Sequence, residues 1–276
     1  MRYSSLILFL FSVLVIGCKS HVLPPDCELS EIEKDAFPTR EYSVQAVLWQ
    51  QHSAEYRALA YQAFNLAKIR LDNILDKATD AKIPLAIVTD IDETVLDNSP
   101  YSGKQIELNE EYSALRWKEW VEEKKAKAVP GAFGFLHYAK NRGVEIFYIS
   151  NRSINQKKET IENLQIVGFP YADNKHVLLK DIARDKEARR DEVIKSYEIV
   201  LFIGDNLSDF TNIFDNRTTD ARNKSVDSLE SAFGKKFIVL PNPMYGDWET
   251  KGILEGKYHW TTFQKDSIRR KKIKSY

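Results

Sequence analysis

The chain is poor in the residues that would make it something other than an ordinary globular protein. Two cysteines in 276 residues exclude a disulfide scaffold. Eleven glycines and nine prolines exclude collagen-like and low-complexity chains. There is no charge of one sign to spend: 40 Lys and Arg face 40 Asp and Glu. The broad positive field that nucleic acid demands is therefore missing, and no nucleic-acid partner is expected. A long hydrophobic run is missing too. The longest, Leu6–Ile16, is interrupted only by Ser12. As a helix it would reach about 16 Å, well short of a hydrocarbon core of about 30 Å. What is present, 43% hydrophobic and 29% charged residues, is enough to build one large core or two small ones.

Arg2 followed by that apolar run has the build of a secretory signal. It ends in Val15-Ile16-Gly17-Cys18, which resembles a bacterial lipobox. That resemblance implies a signal peptide over 1–17, lipidation of Cys18 and a membrane partner through the acyl chains. Ser20, with no Asp directly after the cysteine, fits the enterobacterial sorting pattern for the outer membrane of the cell envelope. Residues 18–42 are polar, carry three prolines and read as a tether. With Cys18 lipidated, Cys27 has no intramolecular partner.

From Ser43 to Thr79 neither Gly nor Pro occurs, and apolar residues recur at helical spacing. This predicts one or two amphipathic helices in an N-terminal helical region, 43–82. Beyond it, apolar runs at Leu85–Thr89, Val144–Ile149, His176–Leu179, Ile199–Ile203 and Phe237–Leu240 alternate with helical stretches near 109–126, 131–141, 154–167 and 184–196. Strands this evenly apolar are buried on both faces. The pattern predicts an α/β fold, a three-layer Rossmann-like sandwich around a parallel sheet. Ligands then bind beyond the carboxyl ends of the strands. Residues 257–276, with the run Arg269–Lys274, read as a solvated basic tail.

The residues just after each run carry the chemistry. The first run leads into Asp90-Ile91-Asp92-Glu93-Thr94. Paired carboxylates there suit nucleophile and acid/base work or a hard divalent cation. They equally suit a plain acidic turn. The second run leads into Ser150-Asn151-Arg152, where a hydroxyl and an amide can bind an anion or merely cap a helix. The fourth leads into Gly204-Asp205-Asn206-Leu207-Ser208-Asp209, with two more carboxylates. Lys186 stands between the last two.

This series is similar to the haloacid-dehalogenase superfamily. The stretches Ile87–Tyr101, Phe147–Arg152, Gly204–Phe210 and Pro241–Trp248 resemble, more narrowly, the class C acid phosphatases, the bacterial lipoprotein 5′-nucleotidases. The likeness runs over residues 44–256. It implies a haloacid-dehalogenase-like core over 83–256 with a helical cap inserted at about 101–130. It implies a phosphomonoesterase acting on nucleoside 5′-monophosphates or aryl phosphates, with Asp90 as nucleophile and Asp92 as acid/base. Mg²⁺ would be held by Asp90, the Asp92 carbonyl and Asp205, with Asp209 behind them. Thr94, Ser150, Asn151 and Lys186 would hold phosphate, Lys180 being the rival lysine. Tyr245 is the stacking candidate for a base, ahead of Trp248, Tyr101 and Trp49. His52, His137 and His176 read as structural. An Asp92 that must be protonated to donate implies an acidic optimum. Homodimers are common in that family, and the sequence itself carries no sign of one. A phosphotransferase on the same fold and a ligand-binding lipoprotein with a vestigial site are the alternatives.

Overall fold

The computed structural model describes residues 40–77, 83–215 and 217–276. The signal peptide, Cys18, all of the tether before Arg40 and the end of the N-terminal helical region lie outside the described residues. Residues 39–276 form one compact unit.

Five strands make the sheet: β1 (Leu85–Thr89), then β4 (Glu145–Ser153), β5 (Val177–Lys180), β6 (Glu198–Gly204) and β7 (Phe237–Val239). β2 (Leu96–Asp97) and β3 (Lys127–Ala128) form a separate antiparallel pair. In the main sheet the order is β5-β4-β1-β6-β7 and every neighbour is parallel. The alternation that makes parallel strands look uniformly apolar is plain on β1. Ile87 faces one core cluster, while Ala86 and Val88 face the other. On β4, Ile146 and Tyr148 face the first cluster, and Phe147 and Ile149 the second. The second face is completed by stacked aromatic rings, Phe210 over Phe237 at 5.0 Å between centroids.

The N-terminal region is two helices, α1 (Val44–His52) and α2 (Ala54–Leu75). Ser53 breaks them: its backbone is extended, and its Oγ caps α2 by accepting the Tyr56 N–H at 3.0 Å. Ala60, Phe64, Ala67 and Leu71, at helical spacing, bury one stripe of α2 in the core. The insertion after β2 differs from the single helix expected near 109–126. It holds α3 (Ser99–Glu107), started by Pro100 in its first turn, and α4 (Ala114–Glu123), capped by Ser113. The β2–β3 ladder, too short to leave a pattern in sequence, clasps both ends of this cap.

α5 (Ala132–Asn141), α6 (Lys157–Val167) and α7 (Glu187–Ile194) fall where the periodicity places them, within a few residues. α8 (Thr219–Ser228) precedes β7, and a π-helical turn spans Trp248–Ile253. The basic tail is a correction: α9 (Thr262–Lys272) is a capped helix docked on the fold. Its Lys265 pairs with Glu111 and its Arg269 with Glu249 at 2.9 Å. The charge run concealed a stripe at i and i+4 that faces acidic partners.

At the amino end of the sheet, buried His176 lies between Asp173 and Glu145. Desolvation acts to raise the Glu145 carboxyl, but hydrogen bonds from His176 and Lys175 outweigh it and hold it below its ordinary 4.5. A carboxyl depressed on folding stabilises the fold above its unfolded pKa and ceases to as pH falls through the folded one. Glu145→Gln is therefore expected to lower the melting temperature at pH 7. The gap to the parent should close once the pH drops well below 4.5, as thermal melts across pH 3 to 7 will read.

Candidate active site

The register of the sheet assembles the site. Thr89 is level with Tyr148 on β4 and with Ile203 on β6. The residues that follow, Asp90, Ser150 and Asp205, therefore emerge along one edge, where β1 separates the two halves of the sheet. The Asp90 N–H still bonds the Ile203 carbonyl at 2.9 Å, so the side chain leaves a fixed backbone.

Asp90, Asp205 and Asp209 each offer a carboxylate oxygen, all within 4.8 Å of one another. Asp209 reaches the group because β6 ends in Gly204: a Cβ there would overlap the Asp209 side chain. Lys186, the residue just before α7, sets its ammonium on Asp90 and, at 2.7 Å, on Asp209. All three of those side chains are nearly closed to solvent, at 4%, 8% and 6% exposure for Lys186, Asp90 and Asp209. Asp205 is less enclosed and accepts from Thr94 Oγ1 at 3.2 Å and from Asn242 Nδ2 at 2.8 Å. Burial pushes the Asp90 carboxyl up, Lys186 opposes it, and Asp209 and Asp92 add to the rise. Asp205 is pushed up as well, by burial and then by Asp209 and Asp90. One ammonium among three carboxylates leaves negative charge uncompensated. An all-oxygen set with a charge deficit of that kind fits a hard divalent cation.

Asp92 has different company. Its Oδ1 accepts from Asn98 Nδ2 at 2.9 Å and from the Arg152 guanidinium at 2.8 and 2.9 Å. Its Oδ2 accepts from Ser150 Oγ at 3.2 Å. Arg152 is buried and stacks against Trp117, 5.4 Å from the ring centroid. The Asn151 side chain accepts from Arg189, which also holds the Ser150 carbonyl.

The profile of the HAD superfamily, subfamily IIIB (Acid phosphatase), matches residues 16–248. This chain belongs to that family. Its fold is that of the class C acid phosphatase of Bacillus anthracis, solved with tungstate bound. The two superpose with a TM-score of 0.83 and share 42% identity over 87% of this chain and all of that one. Acid phosphatase 1 of Solanum lycopersicum is 25% identical over 195 residues, 64% of this chain and 68% of its own. A stem 31 kDa glycoprotein of Glycine max is 27% identical over 214 residues, 75% of this chain and 72% of its own. The protein is thus an acid phosphatase, a phosphomonoester hydrolase built on a five-stranded parallel sheet.

Seen against the expectations from sequence, this phosphatase brings Asp90, Asp92, Asp205, Asp209, Ser150 and Lys186 to one place. Of the two lysines, Lys186 is the one on the aspartates; Lys180 lies at the end of β5, level with Ser153. Two residues expected at the phosphate are engaged otherwise: Thr94 donates to Asp205, and the Ser150 hydroxyl to Asp92. Tyr245 leans over the site with its ring 38% exposed and its hydroxyl donating to Glu93. Tyr101 is buried beside Trp117, and Trp49 packs edge-on to Tyr56, so both serve packing.

Three functional residues escape sequence reasoning. Glu93 is fully buried with a positive φ of 57°, and burial followed by the Asp92 charge pushes its carboxyl up to about 8. Asn98 links four groups: it donates to Asp92 and Glu93 and accepts from Trp120 and Arg152. Arg152 fixes Asp92. All three lie inside the quoted motifs, yet only convergence in space gives them partners. Arg152→Ala is expected to lower kcat about 10- to 100-fold, with KM much less affected, and Arg152→Lys to recover part of the loss. Steady-state kinetics beside a thermal melt will separate this from loss of fold.

Proposed function

We propose that this acid phosphatase is Mg²⁺-dependent, forms an aspartyl-phosphate on Asp90 and prefers nucleoside 5′-monophosphates or aryl phosphates. The observation that carries it is the contrast between two aspartates two residues apart. Asp90 sits among carboxylates with one lysine, whereas Asp92 is gripped by an arginine and an amide.

The Asp90 oxygen attacks phosphorus as the P–O bond to the leaving group breaks, and Asp92 gives its proton to the departing ester oxygen. Water then attacks the aspartyl-phosphate, yields its proton to Asp92 and frees Asp90 and inorganic phosphate. Arg152 and Asn98 occupy Asp92 Oδ1, which leaves Oδ2 to carry the proton, with Ser150 orienting it. Lys186 and the Asn151 N–H would balance the charge of the transferring group. Asp90, the Asp92 carbonyl and Asp205 would hold the cation, with Asp209 beside them. When bound, it supplies positive charge between Asp90 and a dianionic phosphate that it would otherwise repel.

The aromatic rings at the mouth support a flat leaving group. Tyr112, on the cap, is 64% exposed and interacts electrostatically with Asp92, and Tyr245, 38% exposed, is held at Glu93, the residue after Asp92. The tungstate complex of the Bacillus anthracis enzyme fits the same reading, since tungstate is a tetrahedral oxyanion like phosphate. We propose also that Cys18 carries the lipid that anchors the enzyme to the cell envelope, on the outer membrane.

The chain from Lys19 onward is expected to release phosphate from AMP, nicotinamide mononucleotide and p-nitrophenyl phosphate with Mg²⁺, and not with chelator. Asp90→Asn should abolish release. Tyr245→Leu and Tyr112→Ala should raise KM for AMP by about tenfold each while leaving a sugar phosphate unaffected. Turnover that ignores chelator would sink the metal assignment, and equal rates on the sugar phosphate would sink the substrate class.

A further inference from the structure

The C-terminal helix has an outer face that the phosphatase reaction does not use. Residues 257–276 hold seven Lys or Arg against one Asp, so the preceding 256 residues carry the balancing six negative charges of a chain whose sum is zero. That asymmetry lies on one short element. The inner stripe of α9 is spent on docking, through Lys265 to Glu111 and Arg269 to Glu249. The outer face is free. Phe263 is 61% exposed, and Arg270, seven residues on, shares its side of the helix. Lys271, Lys274 and Ile273 are exposed as well. Arg270 pairs only with Asp266 of its own helix, and among the described residues neither Lys271 nor Lys274 enters an ion pair. Phe263, Arg270 and Lys271 on the helix, followed at its end by Ile273 and Lys274, place cations beside exposed apolar side chains, the pattern of a surface-lying membrane segment. No helix among the described residues is long and apolar enough to cross a membrane, so the contact would be with a surface.

A second observation, independent of the charge, says which surface. Arg269 lies over the ring of Tyr42, 3.5 Å from its centroid. Tyr42 is two residues from Arg40, where the described chain begins. Twenty-two residues separate Cys18 from Arg40, a covalent reach of at most about 75 Å. The helix thus flanks the point at which the segment bearing the lipobox enters the fold.

We propose that the outer face of α9, with Phe263, Arg270 and Lys271, together with Ile273 and Lys274 just beyond its end, docks on the anionic lipid surface that also receives the acyl chains of Cys18. The proposal rests on the lipobox reading for the identity of the membrane, and on the geometry alone for the helix. Acyl chains and a basic patch are separate membrane signals whose contributions combine. Attraction to anionic headgroups also restricts how the enzyme can tumble on its tether.

The test uses the chain from Lys19 onward, which retains every described residue and carries no lipid. It is sedimented with phosphatidylcholine vesicles with and without 30% phosphatidylglycerol. Binding is expected only with the anionic lipid and should weaken more than tenfold between about 0.05 and 0.5 M salt, as the screening length shrinks. In R270Q/K271Q/K274Q each lost charge lowers partitioning about fivefold, so the triple variant should bind about a hundredfold more weakly. Its turnover of p-nitrophenyl phosphate should be unchanged, which shows that it is folded. Equal binding to both vesicles, or undiminished binding by the triple variant, would overturn the proposal. So would tighter retention on a single-stranded oligonucleotide at equal phosphate concentration, which would make the face a polyanion site. Failure of the anchor is read separately, from membrane fractionation of Cys18→Ser in the full chain. A soluble Cys18-bearing parent there would reject the lipobox and leave the vesicle result standing.

Discussion

One ammonium shared between two buried aspartates sets the terms for the whole site. Lys186 can neutralise Asp90 or Asp209, and Asp205 stands beside them with only hydrogen bonds from Thr94 and Asn242. Three carboxylates against one lysine, with Asp90, Asp209 and Lys186 almost closed to solvent, is an unfavourable arrangement on its own account. The fold sustains it because the parts are supplied by rigid elements. β1 delivers Asp90, β6 ends in a glycine that lets Asp209 close in, and α7 begins at Lys186. Charge deficits of this kind are stability given up for binding. A bound divalent cation would relieve this one and offset the charge of a dianionic phosphate.

The neighbouring Asp92 shows the same economy with the opposite sign. It is two residues from Asp90, but the loop between them turns it toward Arg152, Asn98 and Ser150. Two chemically identical side chains thereby receive different surroundings, which is what the proposed division between attack on phosphorus and proton handling requires. The cap is part of this division, since Trp120 bonds Asn98 and Trp117 stacks on Arg152. Cap and core are joined around Asp92 and at the β2–β3 clasp, so an insertion that looks peripheral in sequence bears directly on the geometry of the site.

How much of this is legible in the sequence follows from the physics of each part. The five strands are legible because both faces of a parallel sheet are buried, which makes Leu85–Thr89 or Ile199–Ile203 apolar without a break. The aspartates are legible because they stand immediately after such runs. The cap is not, because its helices are short, polar outside and interrupted at 108–113, and its clasp is only two residues per strand. Arg152 reads as one more charged residue until a carboxylate 60 positions away meets it. Glu93 reads as a surface acid, yet it is buried beneath Tyr245, and no local pattern announces that. The C-terminal run misleads for a different reason. Composition reports seven cations, whereas spacing decides which of them face the protein: Lys265 and Arg269 dock on Glu111 and Glu249, while Lys257 and Lys272 pair with Glu255 at the more exposed rim.

That last distinction bears on how the outer surface relates to the site. Arg269 pairs with Glu249 in the π-helical turn, whose N–H bonds back to the Gly246 carbonyl. The adjoining Tyr245 bonds Glu93, and Asn242 in the same loop bonds Asp205. The docked side of α9 is therefore connected by packed contacts to the loop that frames the substrate. A chain of contacts is not coupling, and none of these groups has two arrangements in the structure. What the chain does establish is position. The helix cannot shift on the fold without disturbing Glu249, so whatever its outer face rests on acquires a defined relation to the mouth of the site.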